Sequence, residues 1–288
     1  MPYLTHLAIL FTIYAILALS LNLLVGYTGL VSVAHAAFFG IGSYATAILC
    51  KNYGMGFFLS LLVGVITSML LATLVGLVLS KFRGDFYVLG AVGFNIIVYS
   101  VMLNWQDLTN GPLGIPGIPR PTIFGLSFQD NFSFLILALV LLAIIYWICK
   151  KVVQSSFGRA LKAIREDEQA LSVFGYKTIN YKLAVFVIGA GLAAVAGSLF
   201  ASYISYIDPS TFTTNESIFI LAIIILGGLA SLRGSLLGAL FLILLPEALR
   251  FVGFPNDIAG QMRQVVYGLL LVILMLYRPE GFIGEYKL

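Results

Sequence analysis

Long uninterrupted apolar runs constrain this chain more than any other feature. They cover roughly 5–25, 30–50, 57–80, 86–104, 132–149, 182–206, 216–231, 234–251 and 263–277. A helix that crosses the hydrocarbon core of a bilayer needs about 20 mostly apolar residues. Strands of a membrane barrel instead alternate apolar and polar positions over about 10 residues. Within lipid every backbone N–H and C=O must be satisfied inside the protein, and continuous helices do this. The expected fold is an all-α polytopic membrane protein, a bundle of about eight to ten transmembrane helices in one domain over residues 1–288. Composition agrees. Hydrophobic residues make up 60% of the 288 and charged residues 10%, where a soluble domain carries about 25% charged. The mean hydropathy is +1.04. The first run lacks a basic region before Leu7 and a small-residue cleavage site after it, so it is expected to stay as a helix. Two runs are weak. Residues 26–40 are rich in Gly and Ala, and the run ending at Gly227-Gly228 has an apolar part of only about 14 residues, which suits a broken or re-entrant helix.

Residues 150–181 break the pattern. They carry Lys150, Lys151, Arg159, Lys162, Arg165 and Lys177 together with Glu166, Asp167 and Glu168. Lipid rejects such a segment, so it lies in water. With this segment inside and the spans alternating outward, Lys81, Arg83, Lys182, Arg233, Arg278 and Lys287 also fall inside. Lys51, Arg120, Arg250 and Arg263 fall outside. Basic residues concentrate on the cytoplasmic side of membrane proteins. The N-terminus is then expected outside and the C-terminus inside. Cys50 and Cys149 fall at opposite faces, and no disulfide between them is expected. A net charge of +4 is small and gives no sign of a nucleic-acid partner.

Within the charged segment, Ser155 and Ser156 can cap a helix, since a hydroxyl accepts an orphan backbone N–H. Phe157, Ala160, Leu161, Ile164, Leu171 and Phe174 then recur on one helical face. Lys162 and Glu166 stand four apart, and Gly175 supplies a stop. A short amphipathic helix results, lying on the inner face of the membrane or docked in a partner's groove. Acids at 166–168 would repel anionic lipid headgroups, and small Gly158, Ala160 and Ala163 permit close approach, so docking is favoured.

Elsewhere, residues 105–131 form an external loop. Pro112, Pro116, Pro119 and Pro121 fix φ there, and Gly111, Gly114 and Gly117 allow tight turns, giving a compact non-helical cap. YTGLVS at 27–32 resembles LGGLAS at 226–231, a faint internal repeat. Ala36 and Gly40, Ala193 and Gly197, and Gly234 and Gly238 are spaced for close helix packing in lipid. Polar groups within the spans usually face protein or a cavity. Asn22, Ser32, His35 and Asn95 are therefore the candidates for lining a translocation path. Asn22 and Asn95 also suit simple helix–helix hydrogen bonding, and a lone His35 also suits packing. Glu247, after Pro246, can reach the interface.

Absent motifs narrow the function. The chain has no G-x-x-x-x-G-K-[ST] for phosphates, no H-E-x-x-H or Cys/His cluster for a metal, and no G-x-S-x-G. It has no Arg ladder and no filter like that of potassium channels. No enzyme chemistry and no metal are expected on this chain.

An ordered set of segments resembles one family. NLLVGYTGLVSVAHAAFFGIGSYATAIL at 22–49 is similar to the amino-terminal signature of M-type (Liv) permease subunits of branched-chain amino-acid ABC importers. LTNGPLGIPGIP at 108–119, SSFGRALKAIREDEQALSVFGY at 155–176, the run from SYIDPSTFTTNESI to GGLASLRGSLLGA, and RPEGF at 278–282 match in order. Ala34 stands where the family often has Gly, and the termini are short for the family. The resemblance implies a subunit of the bacterial cytoplasmic (inner) membrane. Its implied partners are a second, H-type permease, two cytoplasmic ATPase subunits that hold ATP and magnesium, and an external substrate-binding protein. It implies that 155–175 couples to an ATPase, through Ser156, Gly158, Arg159, Ala160, Leu161, Ile164, Arg165 and Glu166. Its apolar face would sit in the ATPase groove, and Arg159, Arg165 and Glu166 would fix its register. The path would run along the interface with the second permease, with selectivity held by the binding protein. Urea or short amides are an alternative cargo for the same machinery. A stand-alone ion-coupled transporter and a non-transporting scaffold are alternatives of other classes; the first would need intramembrane acids.

Overall fold

A computed structural model describes residues 2–250 apart from 83 and 124–125, five positions between 265 and 272, and residues 280–284. It is helical almost throughout. The elements are α1 (Pro2–Thr28), α2 (His35–Asn52), α3 (Phe57–Leu79), α4 (Asp85–Asn104), α5 (Gln106–Thr109), α6 (Asn131–Gln154), α7 (Ser156–Glu166), α8 (Glu168–Val173), α9 (Thr178–Ile204), α10 (Thr214–Gly227) and α11 (Leu232–Arg250). Within the described residues the apolar runs form helices close to where they were expected. Five helices, α1, α3, α4, α6 and α9, are each long and apolar enough to cross a membrane, and the protein is a multi-pass membrane protein.

Among the described residues the bent pair of α10 and α11 adds at most one further span, and the other expected runs fall as follows. First, 216–231 and 234–251 form α10 and α11, which meet at a break with their axes 119° apart, as in a broken span or a re-entrant loop. Second, the 30–50 run is helical only from His35, because Gly29 takes φ 74° and the chain stays non-helical to Ala34. The shortened α2 carries His35, Ser43, Thr46 and Lys51, and most of it is buried against α9, α3 and their neighbours. Third, the expected span 263–277 lies mostly outside the described residues, as do Arg83, Arg263, Arg278 and Lys287.

α2 and α9 form the centre, and small residues set their separation. A Cβ on Gly42 would stand 2.3 Å from the Ala194 carbonyl oxygen, and one on Gly197 would stand 2.1 Å from that of Phe39. Hydroxyls then bond across the contact: Ser43 Oγ donates to the Gly197 carbonyl at 2.9 Å, and Thr46 Oγ1 to Ser198 Oγ at 2.8 Å. Such small-residue contacts replace the hydrophobic drive that is missing between helices in lipid. Gly234 and Gly238 do the same for α11, whose backbone closes on Gly227 and Ile223 of α10. The outward faces of α3 and α4, including Leu62, Leu70, Leu74, Phe86 and Leu89, are exposed apolar surface of the kind lipid solvates.

The 105–131 segment is compact but not free of helix. It holds α5, a 3₁₀ turn at Gly111–Leu113, strand β1 (Ile115–Pro116), and a small hairpin of β2 (Thr122–Ile123) and β3 (Leu126–Ser127). β1 pairs antiparallel with β4 (Tyr206–Ile207), just beyond α9. Gly117 and Ile118 N–H groups both donate to the Ser205 carbonyl, at 2.9 and 3.2 Å. His6 near the start of α1 bonds to Tyr203 at 2.6 Å. The N-terminal end of α1, the cap and the α9–α10 connection therefore share one end of the bundle. The α7–α8 hairpin, the break after α1 and the α10–α11 break share the other.

Candidate functional site

The charged segment builds a hairpin of two short helices rather than the single helix the apolar stripe suggests. Ser155 caps α7, its Oγ accepting from Gly158 N–H at 3.3 Å. A side chain at Gly158 would collide with the chain just left behind: its Cβ would stand 2.2 Å from the Val153 carbonyl oxygen. Asp167 adopts an extended backbone and caps α8, its Oδ1 accepting from Ala170 N–H at 2.9 Å. The helix is thus cut eight residues before Gly175, because an Asp between two acids offers a better cap than a helical interior position.

The cut divides the apolar stripe. Gly158, Ala160, Leu161 and Ile164 are buried, and α7 packs on α1, α6 and α9 of the same chain. Phe157 stacks on Tyr181 at 5.5 Å. This face lies inside the bundle, since the turn formed by Ser155 and Gly158 folds it there. The outer face of α7 shows Ser156, Arg159 and Glu166 to solvent. α8 buries nothing; Val173 is 86% and Phe174 81% exposed. Leu171 is half-buried.

Arg165 does not join that outer face. Its guanidinium donates to the carbonyl oxygen of Gly26, near the C-terminus of α1, and its stem lies over Gly29. A cation suits that helix end, where carbonyls lack intrahelical partners. Lys162 lies over the Tyr27 ring, 5.6 Å from its centre. One turn back in α1, Asn22 holds the α10–α11 break. Its Nδ2 donates to Ser235 Oγ at 2.6 Å and to the Ser231 carbonyl at 3.0 Å, and its Oδ1 accepts from Ala230 N–H at 3.0 Å. Gly26 leaves room for this: its Cβ would stand 2.6 Å from Ala230 N. The last turns of α1 therefore touch the hairpin on one side and the broken helix on the other. Asn22 is fully engaged as a clamp.

The six-residue likeness between 27–32 and 226–231 shares its helix stop in both copies, while Ala230 takes φ 58° and its counterpart Val31 does not. Gly29 and Gly228 both take positive φ, 74° and 115°, and close their helices through N–H bonds to Val25 and Ile224 at 3.0 and 2.9 Å. Ser32 and Ser231 then accept from N–H groups of Ala34 and Gly234, at 3.4 and 3.1 Å. At the second break the orphan carbonyls of Leu226 and Gly227 accept from Phe282 and Ile283 N–H, at 2.9 and 3.0 Å. The RPEGF stretch thus ends against this turn.

The remaining path candidates line none of the cavities formed by α11 with Phe282 and Ile283, by the end of α4, or by α6, α7 and α9. His35 opens α2 and is fully buried. Its ring meets Phe38 edge-on, and neither ring nitrogen has a hydrogen-bond partner among the described residues. Ser32 lies in the break before it. Asn95 of α4 donates to Thr214 Oγ1 at 3.3 Å. Ser217 caps α2 from α10, accepting from Ala36 N–H at 2.9 Å. Several contributors carried little sequence signal. Glu216 accepts from Tyr14 at 2.7 Å, and Lys182 meets Glu168 at 2.6 Å. Lys182 begins an apolar run at a position where a basic residue ordinarily reports topology alone.

Among the described residues, this arrangement ties a solvent-facing hairpin to a broken helix. The family described as branched-chain amino acid transport system, permease component, matches residues 3–275. The high-affinity branched-chain amino acid transport system permease protein LivM of Salmonella typhimurium is 35% identical, over 94% of this chain and 68% of its own length. LivM of Escherichia coli K12 is 34% identical, over 96% and 69%. BraD of Pseudomonas aeruginosa, a permease protein of the same kind of system, is 28% identical, over 94% and 92%. No solved structure matches the chain. With the family match spanning nearly the whole bundle, the chain belongs to the permease components of branched-chain amino acid transport systems.

Proposed function

We propose that this chain is the permease subunit of an ATP-driven importer that carries branched-chain or other hydrophobic amino acids across a bacterial cytoplasmic membrane. The sequence likeness to LivM and BraD supports the cargo class. A second, H-type permease completes the membrane unit, and an external binding protein delivers the cargo. Two ATPase subunits bind ATP and magnesium on the inner face. The N-terminus and the 105–131 cap lie outside; the C-terminus and the 150–181 segment lie inside, as the basic residues favour.

The observation that carries this reading is the exposed apolar tip of α8. Val173 and Phe174 stand almost fully in solvent on a hairpin whose root is clamped to the bundle. Two bulky apolar residues held out by ordered helices fit insertion into a partner's groove. The contact then comprises Val173 and Phe174 with Ser156, Arg159 and Glu166. Gly158, Ala160, Leu161, Ile164 and Arg165 act behind it by fixing the hairpin. Asn22, Ser32, His35 and Asn95 serve in the moving core around the path. ATPase movement at the tip would reach the α10–α11 break through Arg165, Gly26 and Asn22.

The test is purification of the tagged permease with its co-expressed neighbours, followed by uptake in proteoliposomes. ATP-dependent uptake of leucine, isoleucine or valine with a co-purifying ATPase is expected. Uptake of urea or short amides instead would change the cargo. Uptake driven by an ion gradient without an ATPase would contradict the whole reading.

A further inference from the structure

Lys182 is a cation almost without solvent, 3% exposed, in the second turn of α9. Its Nζ lies 2.6 Å from Glu168 Oε2. The other carboxylate oxygen, Oε1, accepts from Thr178 Oγ1 at 3.0 Å. Glu168 is the first residue of α8. Both oxygens of one carboxylate therefore fasten the root of the tip helix to the first two turns of α9.

Burial makes this fastening stiff. A charge taken from water is held by its partner, and separating the two leaves an uncompensated charge in a low-dielectric site. The carboxylate grips α9 at two points, so rotation of α8 about a single bond is blocked. α9 in turn packs on α3, α1 and α2, the last through the glycine contacts described above. A solvent-exposed docking hairpin has no need of a buried charge at its root for solubility. An apolar contact would hold it statically at lower desolvation cost.

From this geometry we infer that Glu168 and Lys182 are a positioning pair: they transmit displacement of the α8 tip to α9, and so to the α2–α9 centre. This rests on the docking role proposed for the tip. It adds a second route beside the Arg165–Gly26 contact with α1. The two routes grip the hairpin on either side of the Asp167 break, so the tip cannot move without carrying both α1 and α9.

The full complex is assayed with Glu168→Gln, Lys182→Met, Lys182→Arg and the reversed pair Glu168→Lys/Lys182→Glu. Four quantities are read: yield of monodisperse permease, ATPase captured, ATP hydrolysed, and cargo imported per ATP. Glu168→Gln and Lys182→Met are expected to retain the ATPase and to hydrolyse ATP, with import per ATP at least about fivefold lower. Lys182→Arg, which keeps the charge, is expected to recover most of the loss, and the reversed pair part of it. Import per ATP unchanged in correctly assembled single variants would overturn the inference. Loss of folded permease alone, with normal import per surviving complex, would overturn it too, since the pair would then be structural. Loss of the ATPase itself would also overturn it, assigning the pair to docking. Failure of the unaltered permease to capture any ATPase would instead sink the docking proposal.

Discussion

α7 and α8 come from one charged segment and share one apolar stripe, yet they meet opposite fates. α7 turns Ala160, Leu161 and Ile164 into its own bundle; α8 holds Val173 and Phe174 out in solvent. The divider is Asp167. Its side chain caps α8, and its extended backbone redirects the chain. The difference shows that an amphipathic helix beside a membrane is not by itself a docking surface. The part of the stripe nearest the spanning helix is consumed by folding. Only the part beyond the break stays in solvent.

That contrast is broken most severely at Gly158. Gly158→Leu would push a side chain into the Val153 carbonyl, and the α6–α7 turn cannot give way without moving two helices. Overpacking of a tight site costs roughly 1–3 kcal/mol or more. Monodisperse permease recovered from membranes should fall several-fold or vanish. A normal yield would show that α7 is not bound to the bundle as described.

Asn22→Leu comes next. It leaves Ala230 N–H without its acceptor and frees the α10–α11 break from α1. An orphaned buried donor costs about 1–3 kcal/mol. Thermal stability in detergent should drop measurably, and uptake should drop further than stability alone explains. An unchanged melting profile would remove Asn22 from the account.

Arg159→Ala marks the small end of the series. Arg159 is exposed, with one long bond of 3.4 Å to the Gln154 carbonyl. Surface changes of this kind shift stability by less than about 0.5 kcal/mol. Uptake is expected to weaken modestly and to become more sensitive to salt, as measured across an ionic-strength series. A loss as large as that from Gly158→Leu would mean that α7, rather than the α8 tip, carries most of the docking contact.

Much of this was legible in the sequence because lipid imposes strong rules. Span positions follow from apolar runs, so Phe57–Leu79 and Asp85–Asn104 match the 57–80 and 86–104 expectations almost residue for residue. Gly227-Gly228 announced the broken helix, and Ser155 announced the cap. The direction of α7's apolar face was not legible, because periodicity shows that a stripe exists and not which surface receives it. Asp167 as a break was hidden among acids that read equally well as a solvated face. Lys182 reads as a topology marker, and its partner fourteen residues earlier becomes visible only when α8 folds back on α9. His35 reads as a polar group in lipid; that neither ring nitrogen has a partner among the described residues depends on packing that the sequence does not display. The 263–277 span lies mostly outside the described residues.

The central claim is that the exposed tip, rather than the buried stripe, meets the ATPase. It is tested by purifying tagged permease carrying Val173→Ser and Phe174→Ser together, beside the unaltered chain, from cells that co-express the ATPase. The account predicts permease of normal yield and melting profile with the ATPase lost from the complex. Capture of the ATPase at the unaltered level, by permease equally well folded, would contradict it.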